Sequence, residues 1–357
     1  ITMDQKIREE VFQACAEDLC RGRHLSRDQW RILLEGRTRE RAEKMAKKAS
    51  ALRDRIYGKR IFIRGLIEFS NCCRNDCYYC GIRKSNKKAS RYRLSQGEIL
   101  ECCRAGYRLG FRTFVLQGGE DPYYNDQRIT ELVKEIRKEF PDCAITLSIG
   151  EKERESYEAF KKAGADRYLL RHETANEEHY RKLHPKELSL SHRIHCLETL
   201  KSLGYQTGAG FMTGSPGQTM ETLIDDLEFL ERLQPEMVGI GPFIPHHDTP
   251  FNEAPQGDLE RTLYLLSLIR LLLPRVLLPA TTALGTIDPR GRERGILAGA
   301  NVVMPNLSPE NVREKYLLYD NKIHKGKEAA ESLDLLKESM KEIGYEIVTD
   351  RGDFLKK

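Results

Sequence analysis

The chain has 357 residues, 39% hydrophobic and 32% charged, which excludes a mainly disordered polypeptide and allows one large domain or two or three ordinary ones. Its 59 Lys and Arg against 54 Asp and Glu leave a formal charge of +5, too dilute over this length to argue for nucleic acid. No apolar run reaches the roughly 18 residues of a membrane span: Leu263 to Leu273 is interrupted by Arg270 and stopped by Pro274. The start is charged and mixed, unlike a secretory leader, so a cytoplasmic protein is expected. Ile1 and Thr2 ahead of Met3 read as a cloning remnant.

Residues 1–57 read as a helical extension. Ser26 with Gln29 three residues on is a capping-box pattern, and Thr38 is an acceptable cap for the basic, Ala-rich helix that follows. From residue 60, short β-branched or apolar runs alternate with longer amphipathic ones. The expected strands are Arg60–Phe69, Arg112–Gln117, Cys143–Ser148, Arg167–Arg171, Tyr205–Phe211, Met237–Gly241, Leu277–Thr282 and Asn301–Met304. Helical patterns lie between them at 95–109, 125–140, 151–163, 176–202, 218–233, 257–273 and 288–299. Ala-Gly pairs at 105–106, 163–164 and 298–299 look like three helix C-caps. Eight strand–helix units over about 250 residues are the arithmetic of an α/β (β/α)8 TIM barrel. A doubly wound open sheet is the alternative, but no GxGxxG follows the first strand. The expected organisation is therefore a barrel over 58–306 and a C-terminal helical segment over 307–357 covering it.

In such a barrel the chemistry sits at the C-terminal strand ends. Polar residues stand there: Gln117-Gly118-Gly119-Glu120-Asp121, Thr146 and Ser148, Arg171-His172-Glu173, His246-His247-Asp248 and Thr281-Thr282. The histidines could ligate a metal, although loop or supporting histidines are commoner.

The ten cysteines carry most information. Cys72, Cys73, Cys77 and Cys80 cluster directly after the first strand, whereas the others are spaced like small buried hydrophobes. Cys73, Cys77 and Cys80 form C-x3-C-x2-C. Three thiolates can hold three irons of a [4Fe–4S] cluster and leave the fourth open, as catalytic metal sites do. Two alternatives stand beside this: Cys72 in place of Cys73, which needs a further ligand later in the chain, and a zinc knuckle, for which the next His, His172, is distant.

The C-x3-C-x2-C loop, with Tyr79 before its last cysteine and Gly118-Gly119-Glu120 one strand later, resembles the radical S-adenosylmethionine (SAM) superfamily. Stretches such as Ile67-Glu68-Phe69-Ser70-Asn71, Leu170-Arg171-His172-Glu173-Thr174-Ala175-Asn176 and Pro279-Ala280-Thr281-Thr282 resemble its [FeFe]-hydrogenase maturases, with methylornithine synthase and biotin synthase as cousins. The resemblance implies a cluster on Cys73, Cys77 and Cys80. It implies SAM held by Tyr79, Gln117, Gly118, Gly119, Glu120, Arg171, Glu173 and Arg193. It implies a substrate pocket of Thr146, Arg167, Thr281, Thr282, Met304 and two tyrosines, Tyr316 and Tyr319, on a helical stretch. The substrate it implies is an iron–carbonyl–cyanide–cysteine synthon, with other maturases and an electron donor as partners. Members with a second cluster carry C-terminal cysteines; Tyr319 to Met340 has none, so one cluster per chain is expected.

Two other readings stay open. One is a radical enzyme acting on a free amino acid, which an acidic pocket residue would favour. The other is a non-catalytic iron–sulfur carrier, which has no need of the Gly-Gly-Glu element.

Overall fold

A computed structural model describes residues 2–357; Ile1 lies outside them. Thr2 caps the first helix, Met3–Cys20, in a capping box with Gln5. Ser26 and Gln29 form the expected box on Arg27–Glu35, and Thr38 caps Arg39–Tyr57. Trp30, Leu33 and Leu34 are buried. Arg27 bonds Glu221, Asp225 and Glu228 of the helix Met220–Leu233, which docks this prefix on the barrel.

The barrel is parallel and eight-staved. The strands are β1 (Arg60–Ile63), β2 (Gly65–Ser70), β3 (Thr113–Gly118), β4 (Ala144–Ser148), β5 (Arg167–Leu169), β6 (Gln206–Thr213), β7 (Met237–Pro242), β8 (Val302–Val303) and β9 (Glu346–Val348). β2 to β7 form one sheet in sequence order. The remaining two staves close the ring with few bonds: Leu277 bridges Met237, Pro279 bridges Val302, and Asn306 bridges Leu66. Val238 N donates to Leu277 O at 3.1 Å and Ala280 N to Val302 O at 2.9 Å. The seventh stave is irregular because Pro279 has no N–H for a ladder, and a helix, Thr282–Ile287, begins straight after it.

The expected strand Arg60–Phe69 divides at Arg64. β1 pairs with β8 and β9 at the closed end of the barrel, while β2 alone belongs to the main sheet. The helical pattern over 176–202 is broken at His184-Pro185 into Glu177–Leu183 and Leu190–Ser202, because proline disfavours helix in the residue before it. Gly164 and Gly299 end helices with positive φ, as expected. Gly106 does not: it is buried inside the helix Gln96–Leu109, whose cap is Gly110. No helix among the described residues is long and apolar enough to cross a membrane.

The C-terminal segment is less helical than expected. A short helix (Glu310–Arg313), turns, two 3-10 turns and the helix Leu333–Glu342 lead to β9. The tail then crosses the closed end of the barrel. Arg351 O accepts from Arg64 (3.1 Å), Thr113 Oγ1 (2.8 Å) and Arg167 (2.8 Å), and Gly352 O accepts from Arg64 (3.1 Å). Asp353 accepts from Arg167 at 2.6 Å and Gln206 at 3.0 Å.

Against the opposing pull of burial, the Arg167 charge and hydrogen bonds from Arg351 and Gln206 hold the Asp353 carboxyl well below the usual carboxylate range. A depressed folded pKa contributes stability above the unfolded value, about 3.9, and loses it as pH falls. Asp353 keeps 37% side-chain exposure, so the contribution is screened. Asp353→Asn is expected to lower unfolding free energy by on the order of 1–2 kcal/mol at pH 7. Urea unfolding should show that gap shrinking as pH falls below about 4. A gap independent of pH would show that the charge is not the cause.

Candidate active site

The loop after β2 has little regular structure and is held by backbone bonds to its surroundings. Arg74 N donates to Glu120 O (2.9 Å), Tyr78 N to Leu183 O (3.0 Å) and Gly81 N to Leu318 O (2.9 Å). Arg91 donates to the carbonyls of Asn71, Ile82, Arg83 and Asn86 at 2.6–3.0 Å. This arginine, missed in the sequence, staples both ends of the loop; a lone Arg outside a motif gave no signal.

Inside the loop the thiols of Cys73, Cys77 and Cys80 sit close enough to perturb one another. Burial, helped by Cys73, pushes the Cys77 thiol up to about 12, and burial with both neighbours pushes Cys80 higher still. Cys72 stands apart, its Sγ 3.9 Å from the Tyr92 carbonyl. Three converging soft donors that resist ionising on their own fit a bound iron cluster, whose positive charge would favour the thiolates. The chemistry of the donor set fits such a group on the C-x3-C-x2-C loop.

Cys80 enters the wall of a cavity of about 370 Å³ in the barrel mouth. Tyr79 lines it too. Its hydroxyl donates to His184 Nε2 (3.0 Å), while His184 Nδ1 donates to Tyr180 O (3.0 Å). Burial pushes His184 down to about 3, so the ring is neutral and serves as an acceptor. Gln117 and Gly118 face the cavity from the end of β3. Gly119 and Glu120 lie outside its wall. Glu120 accepts from Arg74 Nε (3.0 Å) and from Glu151 N (2.8 Å), and Gly150 leaves it room: a Cβ there would lie 2.2 Å from the carboxylate.

From the end of β5, Arg171 and Glu173 reach the cavity as a pair, Nε–Oε1 3.1 Å and Nη2–Oε2 3.2 Å. Glu173 has φ +64°, an uncommon conformation for a residue with a side chain and one that clusters at functional sites. Between them His172 points the other way. Gly210 N donates to its Nδ1 (3.3 Å), so its Nε2 carries the proton and donates to buried Asp226 (3.1 Å). Asp226 also accepts from Ala175 N (2.8 Å), which pins the turn presenting the pair. Arg193 lines the cavity while donating to Glu151 (2.6 Å) and to Arg171 O (2.6 Å).

Of the expected pocket residues, Thr281, Thr282, Met304, Tyr316 and Tyr319 line the same cavity. The tyrosines sit in turns beyond the helix Glu310–Arg313, not on a helical stretch. Two expectations are corrected. Arg167 has the parity of Arg171 but lies a full strand lower, fully buried at the closed end on Thr113 and Asp353. Thr146 lies one pleat below Ser148; it is Ser148 that lines the cavity. The cluster His246, His247 and Asp320 is not a ready ligand set. Asp248 N donates to His246 Nδ1 (3.0 Å), so its Nε2 keeps the proton a ligand must lose.

Sequence reading also missed an ion pair. Glu68, fully buried on β2, accepts from Lys322 Nζ at 2.5 Å, and both line the cavity. The period-2 pattern puts Glu68 on the inner face with Leu66 and could have found it; nothing local marks Lys322.

The radical SAM superfamily model matches residues 67–230. The [FeFe] hydrogenase maturase subunit HydE of Thermotoga maritima is 53% identical over 281 residues, 79% of this chain and 80% of that one. The 3-methylornithine synthase of Methanosarcina acetivorans is 32% identical over 89% of this chain and 90% of its own. Among solved structures, methylornithine synthase superposes with a TM-score of 0.84 at 28% identity, covering 94% of this chain and 97% of that one. The maturase HydG, at 20% identity, shares the fold with a TM-score of 0.79 over 96% of this chain and 79% of its own. Membership implies a [4Fe–4S] cluster and SAM. With the thiol triad, the charged cavity and these similarities together, the chain belongs to the radical SAM superfamily and, within it, to the HydE family of [FeFe]-hydrogenase maturases.

Proposed function

We propose that this enzyme reductively cleaves SAM and directs the resulting radical at an iron–carbonyl–cyanide–cysteine synthon during assembly of the H-cluster di-iron subcluster. The observation that carries the reading is the thiol triad of Cys73, Cys77 and Cys80, with Cys80 in the wall of a charge-paired cavity in the barrel mouth. When bound, the cluster supplies the electron that splits SAM into methionine and a 5′-deoxyadenosyl radical.

The chain's own residues bind, orient and exclude water. Tyr79, fixed by His184, offers an aromatic face for the adenine. Arg171 and Glu173 are two residues apart on one face and can exchange their mutual bonds for the carboxylate, ammonium and ribose groups of SAM. Arg193 steadies this pair through the Arg171 carbonyl. Gln117, Gly118 and Gly119 supply the strand-end backbone beside the triad. Glu120 accepts one bond on each oxygen, from Arg74 and the Glu151 N–H, and keeps lone pairs for the methionine ammonium. Tyr316, Tyr319, Met304, Thr281 and Thr282 wall the substrate side. The partners on this reading are the other maturases and an electron donor.

A second reading, a mutase acting on a free α-amino acid, draws on Glu68: an acidic group does line the pocket. Lys322 neutralises it, and the 53% relative outweighs the 32% one.

Anaerobic reconstitution should give about four irons per chain, one cubane, and release of 5′-deoxyadenosine on reduction with SAM. Cys73→Ser, Cys77→Ser and Cys80→Ser should each lose iron and the absorbance of the cluster, and Cys72→Ser should keep both. Iron retained in Cys73→Ser but lost in Cys72→Ser would overturn the ligand assignment, and a stable value near eight would reveal a second cluster.

Arg171→Lys keeps the charge and loses the two-pronged geometry. It is expected to weaken SAM binding by about tenfold, ~1.4 kcal/mol, with the melting temperature nearly unchanged. A sharp fall in melting temperature with affinity intact would make the pair a brace for β5.

A further inference from the structure

The stretch from Asn71 to Arg93 holds seven cations and one acid, Asp76, a surplus of six in a chain whose net charge is only +5. Two of the cations are spent inside the loop: Arg91 on its four carbonyls, and Arg83 on the Cys77 and Asp76 carbonyls at 3.1 and 3.2 Å. The other five are exposed. Arg74 keeps 59% side-chain exposure while its partner Glu120 keeps 8%, and Arg93 keeps 45% while its partner Asp121 keeps 1%. These acids are sunk beneath their arginines, so the surface shows the positive end of each pair. Lys84 N donates to the carbonyl of Asn75, the neighbour of Arg74 (2.9 Å), and Lys87 lies against the Lys84 carbonyl (3.5 Å), which extends the patch.

An aromatic side chain stands in the same patch. Tyr123, two residues beyond Asp121, is 47% exposed. The Arg93 guanidinium lies 5.1 Å from its ring centre and that of Arg128 lies 4.1 Å from it, and Arg128 also donates to the Tyr123 carbonyl (2.7 Å). An open tyrosine between two arginines has the composition of a protein–protein hot spot. The patch also covers the thiols. Arg74 is the chain neighbour of Cys73 and the one exposed residue between Cys72 and Cys80, and Gly119, next to Glu120, packs against the Cys73 Cβ.

We propose that Arg74, Lys84, Lys87, Arg93, Tyr123 and Arg128 form the docking surface for a small acidic carrier protein with a low-potential one-electron centre. In the docked pair one electron leaves the carrier, which is oxidised, and enters the cluster on the thiol triad, which is reduced; no bond or proton moves. Opposite charge steers the encounter and sets its orientation, and Tyr123 supplies the contact that holds it. Docking there rests on the proposed function in taking the triad as a cluster site that needs an electron, and it names the surface and the chemistry of the donor.

The probe is a purified acidic flavodoxin, titrated by calorimetry against reconstituted protein. Wild-type affinity should fall at least tenfold between about 50 and 300 mM salt. Lys84→Glu/Lys87→Glu/Arg128→Glu should weaken binding at least tenfold at the lower salt and flatten that salt dependence, and Tyr123→Ala should weaken it at both. The triple variant should keep its iron, its melting temperature and its release of 5′-deoxyadenosine with dithionite, while release driven by limiting reduced flavodoxin falls in step with binding. Should that variant fail to fold, carbodiimide coupling of the wild-type pair decides: flavodoxin carboxylates should join Lys84 and Lys87, and coupling confined to lysines elsewhere overturns the surface. Unchanged flavodoxin binding in the folded triple variant overturns it, and so does a single-stranded oligonucleotide bound as tightly as flavodoxin, which would show a general anion surface. Docking at the patch with no 5′-deoxyadenosine from any reductant would retain the surface and refute the radical reading. Release with dithionite but no salt-sensitive flavodoxin binding would do the opposite.

Discussion

The position of the thiols depends on one close approach. Gly119, just past β3, passes so near the cysteine loop that a Cβ on it would lie 2.2 Å from the Cys72 carbonyl oxygen and 2.7 Å from the Cys73 Cβ. Contacts that short do not occur between real atoms, so any side chain there would push the loop off the strand end. The same junction is tied from the other side. Gly119 N donates to Ser70 O (3.1 Å), Ser70 Oγ donates to Asp121 (2.6 Å), and Arg93 forks onto Asp121 at 2.7 and 3.0 Å. The first and second staves are thereby locked at their tops, and Cys73 inherits its place from that lock. Arg91 then fixes the return of the loop, so Cys77 and Cys80 are carried on a segment whose ends cannot drift.

The sequence disclosed the barrel and the cysteine loop because both are written in local pattern: alternating element types, and three thiols within eight residues. It disclosed less where the answer depends on height within the barrel. Parity in a strand says that Arg167 and Arg171 face inward together, and they do. It does not say that only one of them is at the mouth. That depends on where β5 begins, and so on the tail from Arg351 to Asp353, almost 200 residues later, which supplies the partners Arg167 needs. Thr146 and Ser148 divide in the same way. The break of β1 from β2 falls at Arg64-Gly65 inside a run whose two pieces are both apolar, so the glycine was the one local signal and the apolar pattern ran through it. Lys322 was hidden for a different reason: it reaches its partner from a turn with no periodicity, and only the folded chain brings it to β2.

The two ends of the barrel treat buried charge in opposite ways. At the closed end, Arg64 and Arg167 are covered by the tail carbonyls, Thr113 and Asp353, so the arginines are sealed under their own chain. At the open end, Arg171 pairs with Glu173, Arg193 with Glu151, and Lys322 with Glu68. Three cations and three anions leave that region with no large net field. Binding there cannot work by bulk attraction, which agrees with a chain of only +5. It works by exchange: each pair gives up bonds to itself and receives equivalent bonds from a ligand carrying both signs. That exchange is selective, because a ligand with the wrong complement of charges strands a buried group at a cost of about 1–3 kcal/mol or more.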